Sequence, residues 1–381
     1  MTKAAAAIDI GTSKIAVVTG RLEDSGLLTV TGAGLSGYAG FVDDEWLDIA
    51  SLEDAVLTAR KSAEKLSGRR IRDVYVSVPG EFIQMTFGHA EVPVASRDRV
   101  ISHGDVDRLI AQTDTFDHPT GYVPLHRTPI AFLADGQTRS RAPLGEQAAY
   151  LEGYVSHVLA SQTFIQEVCG ILSSLGLGIL GFVAGPVAVG HLVRTAGDGR
   201  RTAVVIDAGH YSMDIIVAEG DGIVHHESLP YGGSAITRDL SVAFGWPPPQ
   251  AEEVKRGLTL GVDRHGVLAE KVDEVALAAQ EIAENRVWDM GRRIADSLDK
   301  LGINWDNQTG LYLTGGGLGS MRGARDILSS CMGRIVKPYA HQSPLLPAAG
   351  CTGAVATLNY ALAMNRSTTI RDIIGRIRDL F

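Results

Sequence analysis

Cysteine is scarce in this sequence. Cys169, Cys331 and Cys351 are the three in 381 residues, an odd and scattered set. That pattern excludes a disulfide framework, and it matches neither a cysteine-based metal motif nor a Cys–His nucleophile. Buried thiols in a reducing compartment are expected instead. Excess positive charge is missing too. Lys and Arg number 35 against 44 Asp and Glu, a formal net charge of −9, which argues against a general nucleic-acid binder because polyanions need clustered cations. No apolar run reaches the ~18 residues of a membrane-crossing helix. The apolar run near the N-terminus is too short for a secretory signal and leads straight into Asp9-Ile10-Gly11. What is present is an ordinary balance of 45% hydrophobic and 21% charged residues, enough for two core-bearing halves.

Two segments share one plan. "AAAAIDIGTSKIAVVTG" (4–20) and "TAVVIDAGHYSMDIIVAEG" (202–220) each read as an apolar strand, Asp-x-Gly, a short polar turn and a second β-branched strand. Given twice, half a chain apart, this predicts duplicated α/β halves. Helical periodicity fills the gaps at 51–66 with Ser51 as N-cap, at 161–177, at 251–258 and at 270–302. Residues 310–328 read as a strand, a glycine turn opening a helix, and that helix. Residues 84–164 differ, with His, Pro and short strand-like pieces, and read as an inserted small α/β subdomain.

The glycine turns carry the candidate chemistry. "DIGTSK" packs Asp9, Gly11, Thr12, Ser13 and Lys14 into one hairpin. Gly11 lets the backbone approach an anion, Thr12 and Ser13 supply hydroxyls, and Lys14 supplies a compact charge for a phosphate. Asp9 suits a hydrated Mg²⁺, which prefers one or two carboxylates plus water. An ordinary polar β-turn is the alternative. Asp207 and Gly209 repeat the device, so Asp207 is the second candidate for Mg²⁺ through water. "TGGGLG" (314–319) with Gly315, Gly316 and Gly317 can let a base or ribose lie against the backbone, and "YGGSAIT" (231–237) adds Gly232 and Gly233. Glu252 and Lys255 share a helix face, where they can take a ribose hydroxyl and flank the base, or form a solvated ion pair.

Together "AIDIGTSK", "VVIDAGHYSMD", "LYLTGGG" and "GCTGAV" (350–355) resemble the phosphate, adenosine and connecting motifs of the actin-like ATPase superfamily. Within it, "GDVDRLI" (104–110), the 132–160 stretch with Pro143-Leu144-Gly145, "LPYGGSAITRDLSVAF" (229–244) and a basic amphipathic C-terminus resemble the bacterial FtsA cell-division family. The resemblance implies an actin-like, ribonuclease H-like duplicated two-lobed α/β fold. The first lobe core would comprise 1–83, 165–194 and 340–365, with the insert at 84–164. The second lobe core would comprise 195–230 and 306–339, its outer subdomain 231–305, and a short linker with a terminal helix 366–381. It implies ATP and Mg²⁺ as ligands, a filament of self-associated copies built through the insert, and FtsZ, whose C-terminal peptide would meet Arg286 and Arg293, with Trp288 nearby. It places the protein in the cytoplasm, on the inner face of the membrane at the division septum, among other division proteins.

One departure stands out. Where that family carries glycines and threonines after Asp-x-Gly, this chain has His210 and Tyr211. Side chains at positions needing positive φ cost about 1–2 kcal/mol, and their bulk would shield amides from phosphate. His210 can instead replace an amide donor with an imidazole. No water-activating residue is evident, so nucleotide binding with slow hydrolysis is expected.

The last residues, "TTIRDIIGRIRDLF", sort by depth on a helix. Ile370, Ile373, Ile374, Ile377, Leu380 and Phe381 fall in an arc of roughly 120°, with Arg371 and Arg378 on one margin and Arg376 on the other. This reads as a membrane-lying helix holding anionic lipid, the alternative being a helix packed on its own domain. Two other functions stay open: a PilM-like pilus adaptor, and a small-molecule kinase of the same superfamily.

Overall fold

A computed structural model describes residues 4–38, 41–42, 45–46, 48–139, 142–196, 201–220, 222–261, 274–347 and 349–364. The terminal segment 366–381, which carries the expected membrane stripe and its arginines, lies outside the described residues.

The chain runs through β1 (Ala5–Ile10), β2 (Lys14–Leu22), β3 (Leu28–Gly37), the short pair β4 (Phe41–Val42) and β5 (Glu45–Trp46), α1 (Ile49–Ser67), β6 (Asp73–Val78), β7 (Ile83–Pro93), α2 (His103–Gln112), β8 (Tyr122–Ala134), β9 (Gln137–Arg139) and β10 (Tyr150–Ser161). It continues with α3 (Gln162–Ser174), β11 (Gly178–Ala184), α4 (Gly185–Ala196), β12 (Thr202–Ala208), β13 (Met213–Glu219), β14 (Gly222–Leu229), α5 (Gly233–Phe244), α6 (Pro248–Gly257), α7 (Glu274–Lys300), β15 (Thr309–Thr314), α8 (Ala324–Met332), β16 (Val336–Pro338) and α9 (Thr352–Met364).

Two five-stranded sheets repeat one order. The first is β3-β2-β1-β6-β11 and the second β14-β13-β12-β15-β16. In the first, β1 and β2 are antiparallel neighbours, while β6 and β11 join in parallel by crossovers. In the second, β15 and β16 are likewise parallel. The duplicated α/β fold expected from the two Asp-x-Gly hairpins is therefore present. β1 and β12 are apolar on both faces, as covered central strands must be.

The chain divides into two compact units. One holds the described residues through Ala203, with Ile216–His226 and the chain from Gly353; the other holds Val204–Ile215 and Glu227–Thr352. In the first, α1 lies so close on β3 that a Cβ at Gly34 would stand 1.9 Å from the Ala59 carbonyl oxygen, and one at Gly32 2.6 Å from that of Ala63. Side chains at 32 or 34 would push the helix off the sheet. Asp48, not Ser51, caps α1: its carboxylate accepts the Ser51 N–H at 3.0 Å. Ser51 is the third helical residue, because the chain turns helical earlier than the serine signal suggested. Ser161 does cap α3, accepting the Phe164 N–H.

The insert is a four-stranded antiparallel sheet, β7-β10-β8-β9, with α2 on one face. Val92, Ile101, Val106, Leu109, Phe132 and Leu151 form its core. Ser102 and Asp105 make a capping box at α2. Burial of Asp105 is outweighed by hydrogen bonds from Ser102, the Ala95 amide and Arg108, which hold its carboxyl far below the usual range.

Candidate functional site

In the first unit the turn between β1 and β2 is closed by the Gly11 N–H donating to the Lys14 carbonyl at 3.1 Å. Ser13 gives its carbonyl to the Tyr38 N–H at 3.1 Å. Asp9 stands one residue before the end of β1. Burial pushes its carboxyl above the usual range, opposed by a hydrogen bond from Ser77 and the charge of Lys14. Gly353 backs it: a Cβ there would lie 2.9 Å from an Asp9 carboxylate oxygen. The turn thus brings Asp9, Gly11, Thr12, Ser13 and Lys14 together as the sequence placed them. A carboxylate resisting ionisation through burial fits an incoming cation, which relieves that penalty. Among the described residues no cluster of three or more acidic, His or Cys side chains could hold a metal by itself.

In the second unit the corresponding turn lies between β12 and β13. Gly209 N–H donates to the Ser212 carbonyl at 2.9 Å, the same closure as Gly11 to Lys14. Ser212 therefore occupies the place of Lys14, and His210 and Tyr211 those of Thr12 and Ser13. The expected backbone strain at His210 and Tyr211 is absent. The non-glycine residues with positive φ among those described are Arg99 and Asp135, so the hairpin closes in conformations that any L residue adopts.

What surrounds this turn was not visible in any single motif. The Ala208 carbonyl takes the Gly317 N–H at 2.7 Å, the Gly209 carbonyl the Gly233 N–H at 3.0 Å, and the His210 carbonyl the Ser234 N–H at 2.8 Å. Three glycine loops meet backbone to backbone. A Cβ at Gly317 would stand 2.0 Å from the Gly209 carbonyl oxygen, one at Gly232 2.3 Å from that of His210, and one at Gly315 2.5 Å from an Asp207 carboxylate oxygen. Gly315 also has φ +89°, open to glycine at little cost. Gly316 is exposed at the tip. The turn does not open a helix directly, since α8 begins only at Ala324.

Glu252 and Lys255 are no solvated pair. Lys255 is 6% exposed. Its ammonium donates to the Gly233 carbonyl at 3.0 Å, Thr237 Oγ1 at 3.1 Å and Glu252 Oε2 at 2.6 Å, which uses all three donors inside the protein. Glu252 also accepts from Thr237 at 2.6 Å and from Arg256 at 2.9 Å. Burial opposes ionisation of Glu252, but the bonds from Lys255 and Thr237 with the Lys255 charge hold its carboxyl down to about 2. Lys255 is lowered, burial outweighing its Glu252 partner. The His210 imidazole is lowered by burial first, then by the Lys255 charge, and Glu252 opposes the shift.

The arginines of α7 are engaged locally. Arg286 grips Asp239 with Nε at 2.5 Å and a terminal nitrogen at 2.9 Å, in the bidentate form. Arg293 bonds Asp289 at 3.2 Å and stacks over the Tyr231 ring at 4.5 Å. Trp288 is largely exposed on the same helix.

Family profiles match both units. One described as cell division protein FtsA covers residues 204–363, and one described as the SHS2 domain inserted in FtsA covers 80–159. The chain belongs to the FtsA family of cell-division proteins. It is 26% identical over 248 residues to cell division protein FtsA of Pseudomonas aeruginosa, covering 65% of this chain and 59% of that one. To the FtsA of Bacillus subtilis it is 25% identical over 347 residues, covering 87% and 78%. The chain spans about 60% of the length of the first curated relatives it matches. Solved structures agree on the fold. A chain of a PilM–PilN type IV pilus biogenesis complex aligns with TM-score 0.64 and 18% identity over 94% of this chain and 98% of that one. MreB5 of Spiroplasma citri bound to ADP aligns with TM-score 0.51 and 9% identity over 97% and 98%. No described helix of this FtsA-family chain is long and apolar enough to cross a membrane.

Proposed function

We propose that this FtsA-family protein is an ATP-binding scaffold that self-associates on the inner membrane surface and tethers FtsZ filaments at the division site. The observation that carries the nucleotide part is the meeting of Gly209, Gly233 and Gly317 beside Asp207, where backbone packs so closely that side chains are excluded. A wall of glycine backbone lets the flat parts of a nucleotide lie close against it, with the Asp207 carboxylate at its edge. In this reading each turn offers its own donors: in the first unit Asp9 suits Mg²⁺ through water and Gly11, Thr12, Ser13 and Lys14 suit phosphate oxygens. In the second unit Asp207 suits Mg²⁺ through water, Gly232, Gly233, Gly315, Gly316 and Gly317 suit a nucleoside, Glu252 suits a ribose hydroxyl, and Lys255 braces the Gly233 loop.

The membrane part rests on the sorted stripe of 370–381 and the FtsZ part on the α7 arginines. Arg286 must exchange one carboxylate partner for another, so the peptide competes with Asp239 rather than meeting a bare cation. Isothermal titration with MgATP addresses the nucleotide: micromolar binding, lost in Gly317→Val, is expected, and absence of binding to the native chain overturns the reading. Liposome sedimentation with and without residues 368–381, plus the FtsZ C-terminal peptide, addresses the rest. Lipid binding lost on truncation with peptide binding kept is the expected result. Indifference to both would leave an ATP-binding protein that is not a tether.

A further inference from the structure

We infer that His210 is the cation that the second glycine turn supplies to nucleotide phosphate, so that ATP binding takes up a proton at this imidazole. The inference rests on the ATP-binding reading above and goes beyond it. Three observations carry it. The two hairpins close identically, Gly11 on Lys14 and Gly209 on Ser212, so the second lacks a lysine where the first has one. The nearby Lys255 cannot substitute, because its three donors are spent on Gly233, Thr237 and Glu252 and it is buried. His210 sits where the three glycine loops cross: its carbonyl holds the Ser234 N–H, and its ring is half-buried and packed edge-on to Tyr211 at 4.7 Å.

The charges felt by the ring are named readily. Lys255 and Arg256 of α6 disfavour a second cation, Glu252 of α6 favours one, and burial disfavours it most. The loops at 232–233 and 315–317 are glycines and bring no charge of their own. Without ligand these influences together hold the imidazole below its ordinary value and favour its neutral form. A polyphosphate placed beside it reverses the balance and draws a proton on. By linkage, affinity then rises as pH falls, by about threefold per pH unit for half a proton taken up.

The test titrates MgATP into the full chain at several pH values, in two buffers of different ionisation heat, for the native protein, His210→Gln and His210→Arg. Comparison between proteins cancels the proton belonging to the ligand. The native protein is expected to take up several tenths of a proton near pH 7 and to bind about threefold tighter at pH 6.5 than at 7.5. His210→Gln loses that uptake and weakens, and His210→Arg binds tightly with no pH dependence of its own. The His210 ring resonance, assigned by its loss in His210→Gln, should titrate at higher pH once MgATP is added. Equal proton uptake by the native protein and His210→Gln, or an unmoved resonance in a protein that does bind ATP, overturns the inference. Failure of the native protein to bind ATP at any pH removes the ATP reading and this inference with it.

Discussion

The turns at 11–14 and 209–212 have the same closure and different surroundings. Each follows a strand carrying an aspartate, and each draws a glycine N–H onto the carbonyl three residues on, at 3.1 and 2.9 Å. Around the first, tolerance remains: a Cβ at Gly11 would meet only the Lys14 oxygen at 3.2 Å. Around the second, two further glycine loops press in, and a Cβ at Gly317 would overlap the Gly209 carbonyl. Local hairpin geometry thus survives duplication, while the close packing of glycine loops around it is specific to one half. The side chains follow the same division. Thr12, Ser13 and Lys14 are small hydroxyls and a charge, whereas His210 and Tyr211 are bulky groups that the second turn accommodates at ordinary φ.

The sharpest break comes at the crossing point. Gly317→Val should destabilise the protein by about 3 kcal/mol or more, since backbone must move to admit the side chain, and abolish ATP binding; thermal unfolding and titration read both. Next is the ion pair beside it. Glu252 is held below its ordinary 4.5, at about 2, so its contribution is full above pH 4.5 and disappears as pH falls through 2. That shift corresponds to at most about 3 kcal/mol, and burial of the Lys255 ammonium, which pulls the other way, reduces the net to about 1–2 kcal/mol. Acid unfolding between pH 5 and 2 should flatten in Glu252→Gln.

The first turn yields smaller effects. Burial raises the Asp9 carboxyl, so its ionisation opposes folding, and the stability present below the unfolded value is lost as pH rises through the folded value. Asp9→Asn should therefore raise the melting temperature by a few degrees at pH 7 while removing any Mg²⁺ dependence of nucleotide binding. An unchanged or lower melting temperature would show that Lys14 and Ser77 outweigh burial. Smallest is Gly11→Ala, expected to cost less than about 1 kcal/mol. A cost equal to that of Gly317→Val would erase the distinction between the two turns.

Much of this was legible because it is local. A strand, an Asp-x-Gly turn and a second strand fall within about twenty residues, so β1–β2 and β12–β13 announced the duplication, and helical periodicity announced α3. The start of α1 was misread because Asp48 and Ser51 are both competent caps three residues apart, and pattern alone does not say which comes first. Glu252 and Lys255 were visible as a pair on one face, but not as a buried one. Their burial depends on Gly233 and Thr237, which arrive from another helix.

The order of residues by itself determined the repeated hairpins, the acidic balance and the membership of the FtsA family, because these follow from neighbours along the chain. Tertiary structure alone decided that Gly209, Gly233 and Gly317 touch, that Lys255 has no donor to spare, and that Arg286 is already clasped by Asp239. Those facts depend on which backbones approach within a few ångströms across tens to more than a hundred residues of sequence. Only the packing of sheets and helices sets that separation.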